Sequence, residues 1–179
     1  MNLKKIKIIA VFCLFILMSL FHFVYDIFPN NLFAVFFPVN ESIFEHLKLI
    51  FTTFVLYGII DYILLIKFKQ PKNNFFLNIL ISALSCIGIF LLIWLPIYYK
   101  IGENIFITLL FLFISIIFSQ IVSFYILTNK NNQLLNYICI GIIISIIVVF
   151  AYFTYYPLYN DFFFDPIKEK YGINTYLIK

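Results

Sequence analysis

Two imidazoles and three carboxylates fall within a short part of the sequence. His22 and Asp26 end the first apolar run, and Glu41, Glu45 and His46 lie where the second begins. Imidazole and carboxylate groups are the usual ligands of zinc, and a carboxylate beside an imidazole can act as an acid–base pair. The same groups could relay protons or hold a cation. Because the chain has only 2 histidines, a site with three histidine ligands is excluded, and a metal would need carboxylates as well.

The spacing of these residues predicts one polar pocket. At about 100° per residue, one arc of the second helix carries Glu41, Ser42, Glu45, His46, Lys48, Thr52 and Thr53. A stripe at i, i+3, i+7 on the first helix carries Ser19, His22 and Asp26. The predicted metal ligands are His22, Asp26, Glu45 and His46. The predicted ligand-binding residues are Asn40, Glu41 and Lys48, and Glu45 or His46 is the candidate catalytic base.

Structural roles explain part of the same pattern. Ser42 and Glu45 have the spacing of a capping box, and a helix dipole favours an acid such as Glu41 near the first turn. Glu45 and Lys48 have the spacing of an ion pair. For each histidine taken alone, a hydrogen-bonded structural role is favoured over metal ligation. Capping alone does not account for the histidines or for Asp26.

The elements that must position these residues are membrane-spanning helices. The chain has 179 residues, of which 64% are hydrophobic and 11% charged, whereas soluble domains are nearer half apolar and a quarter charged. Five segments reach the roughly 20 apolar residues that a spanning helix needs: 6–28, 44–66, 75–99, 105–128 and 134–156. Segment 32–39 is too short to span and is predicted to be interfacial or re-entrant. We therefore predict an all-α bundle of five transmembrane helices, a single domain over 1–179 in contact with the lipid bilayer.

Lysines determine the predicted orientation. Lys67, Lys69 and Lys72 crowd the second connection and Lys130 lies in the fourth, whereas the first connection has none. Positively charged loops stay in the cytoplasm, so the N-terminus is predicted inside, and the pocket and the tail 157–179 outside. All 12 basic residues are lysine, a composition typical of AT-rich bacterial genomes, which predicts the cytoplasmic membrane of a bacterium. A net charge of +4 without a basic cluster argues against nucleic-acid binding.

Polar residues elsewhere favour structural roles. Asp61 is expected to pair with lysines near the inner end of the second helix. Small hydroxyl residues on the third and fourth segments, with Gln120 beside them, are expected to let helices approach closely. The cysteines at 13, 86 and 139 lie in three different apolar runs and are expected to be packing residues.

Two strings of the sequence resemble a known family. The first runs from Phe37 to Lys48 (FPVNESIFEHLK), with His22 upstream, and the second runs from Asp165 to Ile173. They are similar to a family of small bacterial membrane proteins, a domain of unknown function common in spore-forming Firmicutes. The resemblance implies that both strings belong to the family signature and brings no activity with it. An outward tail could then cap the pocket and add Asp161 or Asp165 to it.

Three classes of function follow from the sequence. The first is an outward-facing His/carboxylate pocket that binds a divalent metal such as zinc or a small polar ligand, with a membrane-embedded hydrolase as its enzymatic form. The second is a structural or accessory subunit, in which the polar cluster only fixes the first two helices. The third is a small proton-coupled transporter, which would need a polar path continuing past Asp61.

Overall fold

A computed structural model describes residues 1–102, 104–173 and 175–176 of the chain. In this part of the chain the helices are α1 (Leu3–Phe21), α2 (Val24–Ile27), α3 (Asn31–Phe36), α4 (Ile43–Lys67), α5 (Phe75–Ile101), α6 (Ile105–Thr128) and α7 (Gln133–Tyr155). Among the described residues, 5 segments are long and apolar enough to span a membrane. They are Leu3–Ile27, Ile43–Lys67, Phe75–Ile101, Ile105–Thr128 and Gln133–Tyr155. The predicted all-α class with five candidate spans is confirmed.

The first span differs from its prediction because it is not one continuous helix. Helix α1 ends at Phe21, a turn follows at His22 and Phe23, and α2 begins at Val24. The amide of Phe23 donates to the carbonyl of Leu20 at 3.2 Å, a tighter step than the i→i−4 pattern of an α-helix. His22 therefore lies in a turn, and Asp26 lies in the next short helix rather than in α1.

The tail contains strands that the sequence prediction lacked. The short strands β1 (Phe164–Asp165), β2 (Lys170–Tyr171) and β3 (Thr175–Tyr176) form an antiparallel sheet in the order β1-β2-β3. Asp165 pairs with Lys170 in this register. Residues 177–179 of the predicted tail lie outside the described residues. A strand of two residues has too little periodicity to be recognised in a sequence.

The described residues fall into two units. The first unit combines Met1–Ile16 with Phe54–Ile140, and the second unit combines Leu17–Thr53 with Gly141–Lys179.

In the first unit, asparagine side chains join the second and fourth connections. The Asn74 side chain accepts from the amide of Asn132 at 2.7 Å and donates to the carbonyl of Lys130 at 3.0 Å. Asn136 accepts from the amide of Phe76 at 2.7 Å, which satisfies one of the free N–H groups of the first turn of α5. The two lysine-bearing connections therefore lie at one end of this unit.

A buried ion pair joins α1 and α4 in the first unit. Lys7 Nζ lies 2.6 Å from Asp61 Oδ2, and the side chains are 6% and 5% exposed. The expected pairing of Asp61 with lysine is confirmed, with Lys7 as the partner. Gly58, one turn earlier on α4, has Ile79 Cδ1 only 2.6 Å from where a Cβ would lie, so a larger residue there would require the Ile79 side chain to shift.

The helices are apolar on their exposed faces as well. Only 22% of the apolar stretch of α6 and 11% of that of α7 is buried. Large exposed side chains include Phe106 at 81% and Leu134 at 72%. Soluble proteins rarely expose apolar surface of this extent, and lipid is the solvent that accepts it. The cysteines at 86 and 139 are buried and all three cysteines are free, as expected of packing residues.

Breaking the pair between α1 and α4 on one side is expected to be costly. Lys7→Met or Asp61→Leu alone should lower the free energy of unfolding by about 3–5 kcal/mol, because each leaves a buried charge without its partner. The double variant Lys7→Met/Asp61→Leu removes both charges and should recover most of the loss. Thermal unfolding of the four proteins in detergent measures the coupling, and additive losses would contradict it.

Candidate metal centre

Three side chains of the second unit converge on one point. His22 Nε2 lies 3.2 Å from His46 Nε2. Glu41 Oε2 lies 3.4 Å from His22 Nε2 and 3.5 Å from His46 Nε2. These side chains are 22–30% exposed, so a small solute can reach them. Among the described residues they form the one group of three ligand-type side chains whose donor atoms lie within 4.8 Å of one another.

The spacing of the three donor atoms matches a zinc coordination sphere. Ligand atoms about 2.0–2.2 Å from a tetrahedral zinc are about 3.3–3.6 Å apart. An octahedral ion with ligands at about 2.0–2.1 Å would need neighbours about 2.8–3.0 Å apart. The observed separations, 3.2, 3.4 and 3.5 Å, fit the tetrahedral set better. Two histidines and one glutamate would supply three of the four ligands of a tetrahedral ion.

The backbone fixes the tautomer of His46. Its Nδ1 lies 2.9 Å from the carbonyl oxygen of Ser42. Because a carbonyl only accepts, Nδ1 carries the hydrogen, and a neutral ring then presents the lone pair of Nε2 to the cluster. Metal-bound histidines commonly make this second hydrogen bond. Nδ1 of His22 is buried and has no partner among the described residues, so only one of the two rings is oriented in this way.

The electrostatics of the cluster favour an ionised glutamate. The pKa of Glu41 lies below its ordinary value, chiefly because the imidazole of His22 is within hydrogen-bond reach of the carboxylate. Partial burial acts in the opposite direction, and the positive charge of Lys168 adds to the lowering. The carboxylate is therefore in the anionic form that binds a cation.

The tail holds the backbone on either side of Glu41. Asp165 Oδ2 accepts from the amide of Glu41 at 3.1 Å, and Asn40 Nδ2 donates to the carbonyl of Gly172 at 3.0 Å. Gly172 has φ +54, and a Cβ there would lie 2.5 Å from the carbonyl oxygen of Thr154, so this contact requires glycine. Asp165 and Asn40, both predicted to bind a ligand, form hydrogen bonds that position the segment that carries Glu41.

Glu45 and Lys48 form a buried network beside the cluster. Lys48 Nζ lies 2.5 Å from Glu45 Oε2 and donates to the carbonyl of Ala34 and to Thr154 Oγ1, each at 2.8 Å. Glu45 also accepts from the amide of Val39 at 3.1 Å and from the Thr154 hydroxyl at 2.7 Å. The three donors of the ammonium and both carboxylate oxygens are thus engaged within the protein.

Glu45, Lys48 and Ser42 make several of the structural contacts that their spacing predicts. The ion pair between Glu45 and Lys48 is confirmed. Ser42 Oγ accepts from the amide of Glu45 at 3.3 Å, so half of the capping box is present. The other half is absent from the described contacts of Glu45, whose carboxylate accepts from Val39 rather than from Ser42. Asp26 pairs with Lys168 at 3.3 Å on the surface.

The sequence predicts Glu41 as a ligand-binding residue but not as a metal ligand. It placed Glu41 on the helical arc, whereas α4 begins at Ile43, so helical periodicity does not fix the direction of this side chain. The network also contains Thr154, a lone threonine in the apolar fifth span that carried no motif. The signal that could have identified Thr154 is that it is a polar residue within an apolar span.

Five membrane-spanning candidates and a His₂Glu cluster define the class: a multi-pass membrane protein with a candidate metal centre. A family model described as "Family of unknown function (DUF6512)" matches residues 1–173. The chain belongs to this family. No curated protein and no solved structure matches the chain significantly.

The lowered pKa of Glu41 has a consequence for stability in the metal-free protein. An unfolded glutamate titrates at about 4.5, so the ionised Glu41 contributes stability above that pH and loses it as the pH falls through the lower folded value. The difference in unfolding free energy between the wild type and Glu41→Gln should be largest above pH 4.5 and shrink below it. Unfolding with chelator present measures this, and a difference that grows on acidification would contradict it.

Proposed function

We propose that this protein binds a divalent metal of the zinc class through His22, Glu41 and His46. The observation that carries the proposal is the triangle of donor atoms with edges of 3.2, 3.4 and 3.5 Å. Support comes from the hydrogen bond that directs His46 Nε2 into the cluster and from the lowered pKa of Glu41. Relative to the predicted ligand set, Glu41 takes the place of Asp26 and Glu45, because both of these carboxylates are paired with lysines.

Hydrolysis is the second candidate, and the observation that favours it is the three-ligand set with an open fourth position. A metal in such a site lowers the pKa of a bound water to about 7 and makes it a nucleophile. In this proposal Glu45 and His46 are not the general base that the sequence suggested. The Glu45 carboxylate already accepts three hydrogen bonds or ion pairs, and His46 Nε2 is assigned to the metal.

We further propose the setting in which the centre works. The lysine-rich second and fourth connections would lie in the cytoplasm, which places the N-terminus inside and the metal centre on the outer side of a bacterial cytoplasmic membrane. The chain would act as one membrane domain. The strings FPVNESIFEHLK and 165–173 supply Glu41, His46 and the contacts that position them, which suits a family signature.

Metal content of the purified protein tests the proposal. Wild-type protein supplied with zinc should bind near one equivalent, because a site with three ligands is complete enough to retain the ion. His22→Ala, His46→Ala and Glu41→Gln should each lose it. Asp165→Asn keeps the three ligands but weakens the support of Glu41, so its affinity should fall by roughly 10–100-fold. Elemental analysis and competition with a chelator give both quantities.

Asp26→Asn is the matched control for this experiment. It removes a carboxylate from the same part of the chain, but Asp26 is paired with Lys168 at the surface, so metal content should stay at the wild-type value. Folded wild-type protein that takes up no zinc would disprove the metal centre and leave a structural role for the cluster. Loss of metal in Asp26→Asn and retention in Glu41→Gln would show that the wrong carboxylate is assigned.

A further inference from the structure

The lysines of the first unit are scattered along the sequence, but the fold gathers most of them at one end. Three segments form this end, 1–7, 67–77 and 128–136, and none of them contains an acidic residue. The exposed lysines of these segments form a surface that we call the lysine rim, which consists of Lys4, Lys5, Lys67, Lys69, Lys72 and Lys130.

Hydrogen bonds hold the three segments of the rim together. The amide of Leu3 donates to Gln70 Oε1 at 2.9 Å, which joins the start of α1 to the second connection. The Asn73 side chain donates to the carbonyl of Asn129 at 3.0 Å, beside the bonds of Asn74 to the fourth connection. The three segments therefore lie side by side, and the rim is one surface.

The positive charge of the rim is not neutralised within the unit. Among the described residues, no ion pair involves an ammonium group of the rim. Asp61 is the one acidic side chain in the described part of this unit, and it is paired with Lys7. The ammonium of Lys72 lies 5.5 Å from the ring centroid of Tyr62, a cation–π contact that leaves the charge in place.

The rim lies where lipid headgroups would be. Lys4 and Lys5 are in the first turn of α1, and Lys67 is the last residue of α4, so their charges stand at the ends of candidate spans. Headgroups begin where a span leaves the hydrocarbon core. Tyr137, which is 70% exposed on α7, belongs to the residue type that is enriched at this depth. A lysine stem can follow apolar surface while its ammonium reaches the phosphates.

The backbone at Lys69 supports a role for the charge. Its φ is +51, and the amides of Lys69 and Gln70 donate to the carbonyls of Ile66 and Leu65 at 3.1 and 2.9 Å. These bonds form a Schellman motif, in which this left-handed position usually holds glycine because a Cβ is strained there. Backbone stability therefore favours glycine at position 69, whereas the rim gains a charge from lysine.

We propose that the lysine rim binds the anionic headgroups of phospholipids and selects anionic lipid at this end of the first unit. Orientation in the membrane needs only that lysines lie in the correct loops. The gathering of these lysines on one exposed surface without acids is a further feature, and it offers several ammonium groups to the headgroup phosphates at once. The proposal does not depend on the metal centre, which lies in the second unit.

Spin-labelled lipids test the proposal with the full chain in phosphatidylcholine vesicles. Electron paramagnetic resonance measures how strongly the protein immobilises a phosphatidylglycerol label and a phosphatidylcholine label. The wild type should bind the phosphatidylglycerol label about fivefold more strongly, and about 1 M salt should weaken this preference by screening the charges. The triple variant Lys67→Gln/Lys69→Gln/Lys72→Gln should lower the preference to below about twofold.

Lys100→Gln is the matched control for Lys72→Gln. Lys72 lies just before α5 and Lys100 lies in its last turn, so the two variants remove the same charge from opposite ends of one helix. The preference for phosphatidylglycerol should fall in Lys72→Gln and stay at the wild-type value in Lys100→Gln.

Lys69→Gly separates lipid binding from stability. Glycine relieves the positive φ, so the thermal unfolding midpoint in detergent should rise, while the loss of one charge should lower the preference for phosphatidylglycerol. Weaker lipid binding in a more stable protein cannot be caused by misfolding.

Two results would overturn the proposal. If the wild type immobilises both labels equally, the rim does not select anionic lipid and its lysines only orient the chain. If Lys100→Gln loses as much of the preference as Lys72→Gln, the net charge of the protein is responsible and the rim is not a binding surface.

Discussion

The buried pair of Glu45 and Lys48 is the constraint on which the second unit depends. Its charges are 1% and 0% exposed, and a pair at this burial is tolerated only if every remaining donor and acceptor is engaged. The partners that do so come from three places: the amide of Val39, the carbonyl of Ala34 and the hydroxyl of Thr154. The chain before α4 and the end of α7 are therefore held against the first turns of α4.

The two buried ion pairs among the described residues differ in how completely their polar atoms are hydrogen-bonded. Glu45 uses both carboxylate oxygens, so its network is closed and suited to a fixed structure. Asp61 uses only Oδ2 and leaves Oδ1 unsatisfied beside a cavity. A lysine paired with a carboxylate is therefore part of a fully hydrogen-bonded network in one unit and lines a polar cavity in the other. The difference lies in the neighbouring hydroxyls and amides rather than in the charges.

Composition and apolar run length were enough to predict the helical class and five candidate spans, since each span is a long unbroken signal. Helical periodicity also predicted that the two histidines lie close together, and they do, even though the turn at His22 interrupts the first helix. It placed Glu41 and Asp26 on helical stripes, whereas Glu41 precedes α4 and Asp26 follows that turn. The contacts of Thr154 and Gly172 were beyond prediction, because they join residues more than a hundred positions apart and no local pattern encodes such pairings. Only the family resemblance suggested that Asp165 approaches the pocket.

The order of synthesis determines when the network around Glu45 and Lys48 can be completed. The ribosome delivers Glu45 and Lys48 long before Thr154 and Asp165 exist, so a nascent chain holds this ion pair with an incomplete set of partners. Glu41 likewise lacks the acceptor for its amide until β1 has been made. The proposed centre would then reach its full metal affinity only after the tail has been made.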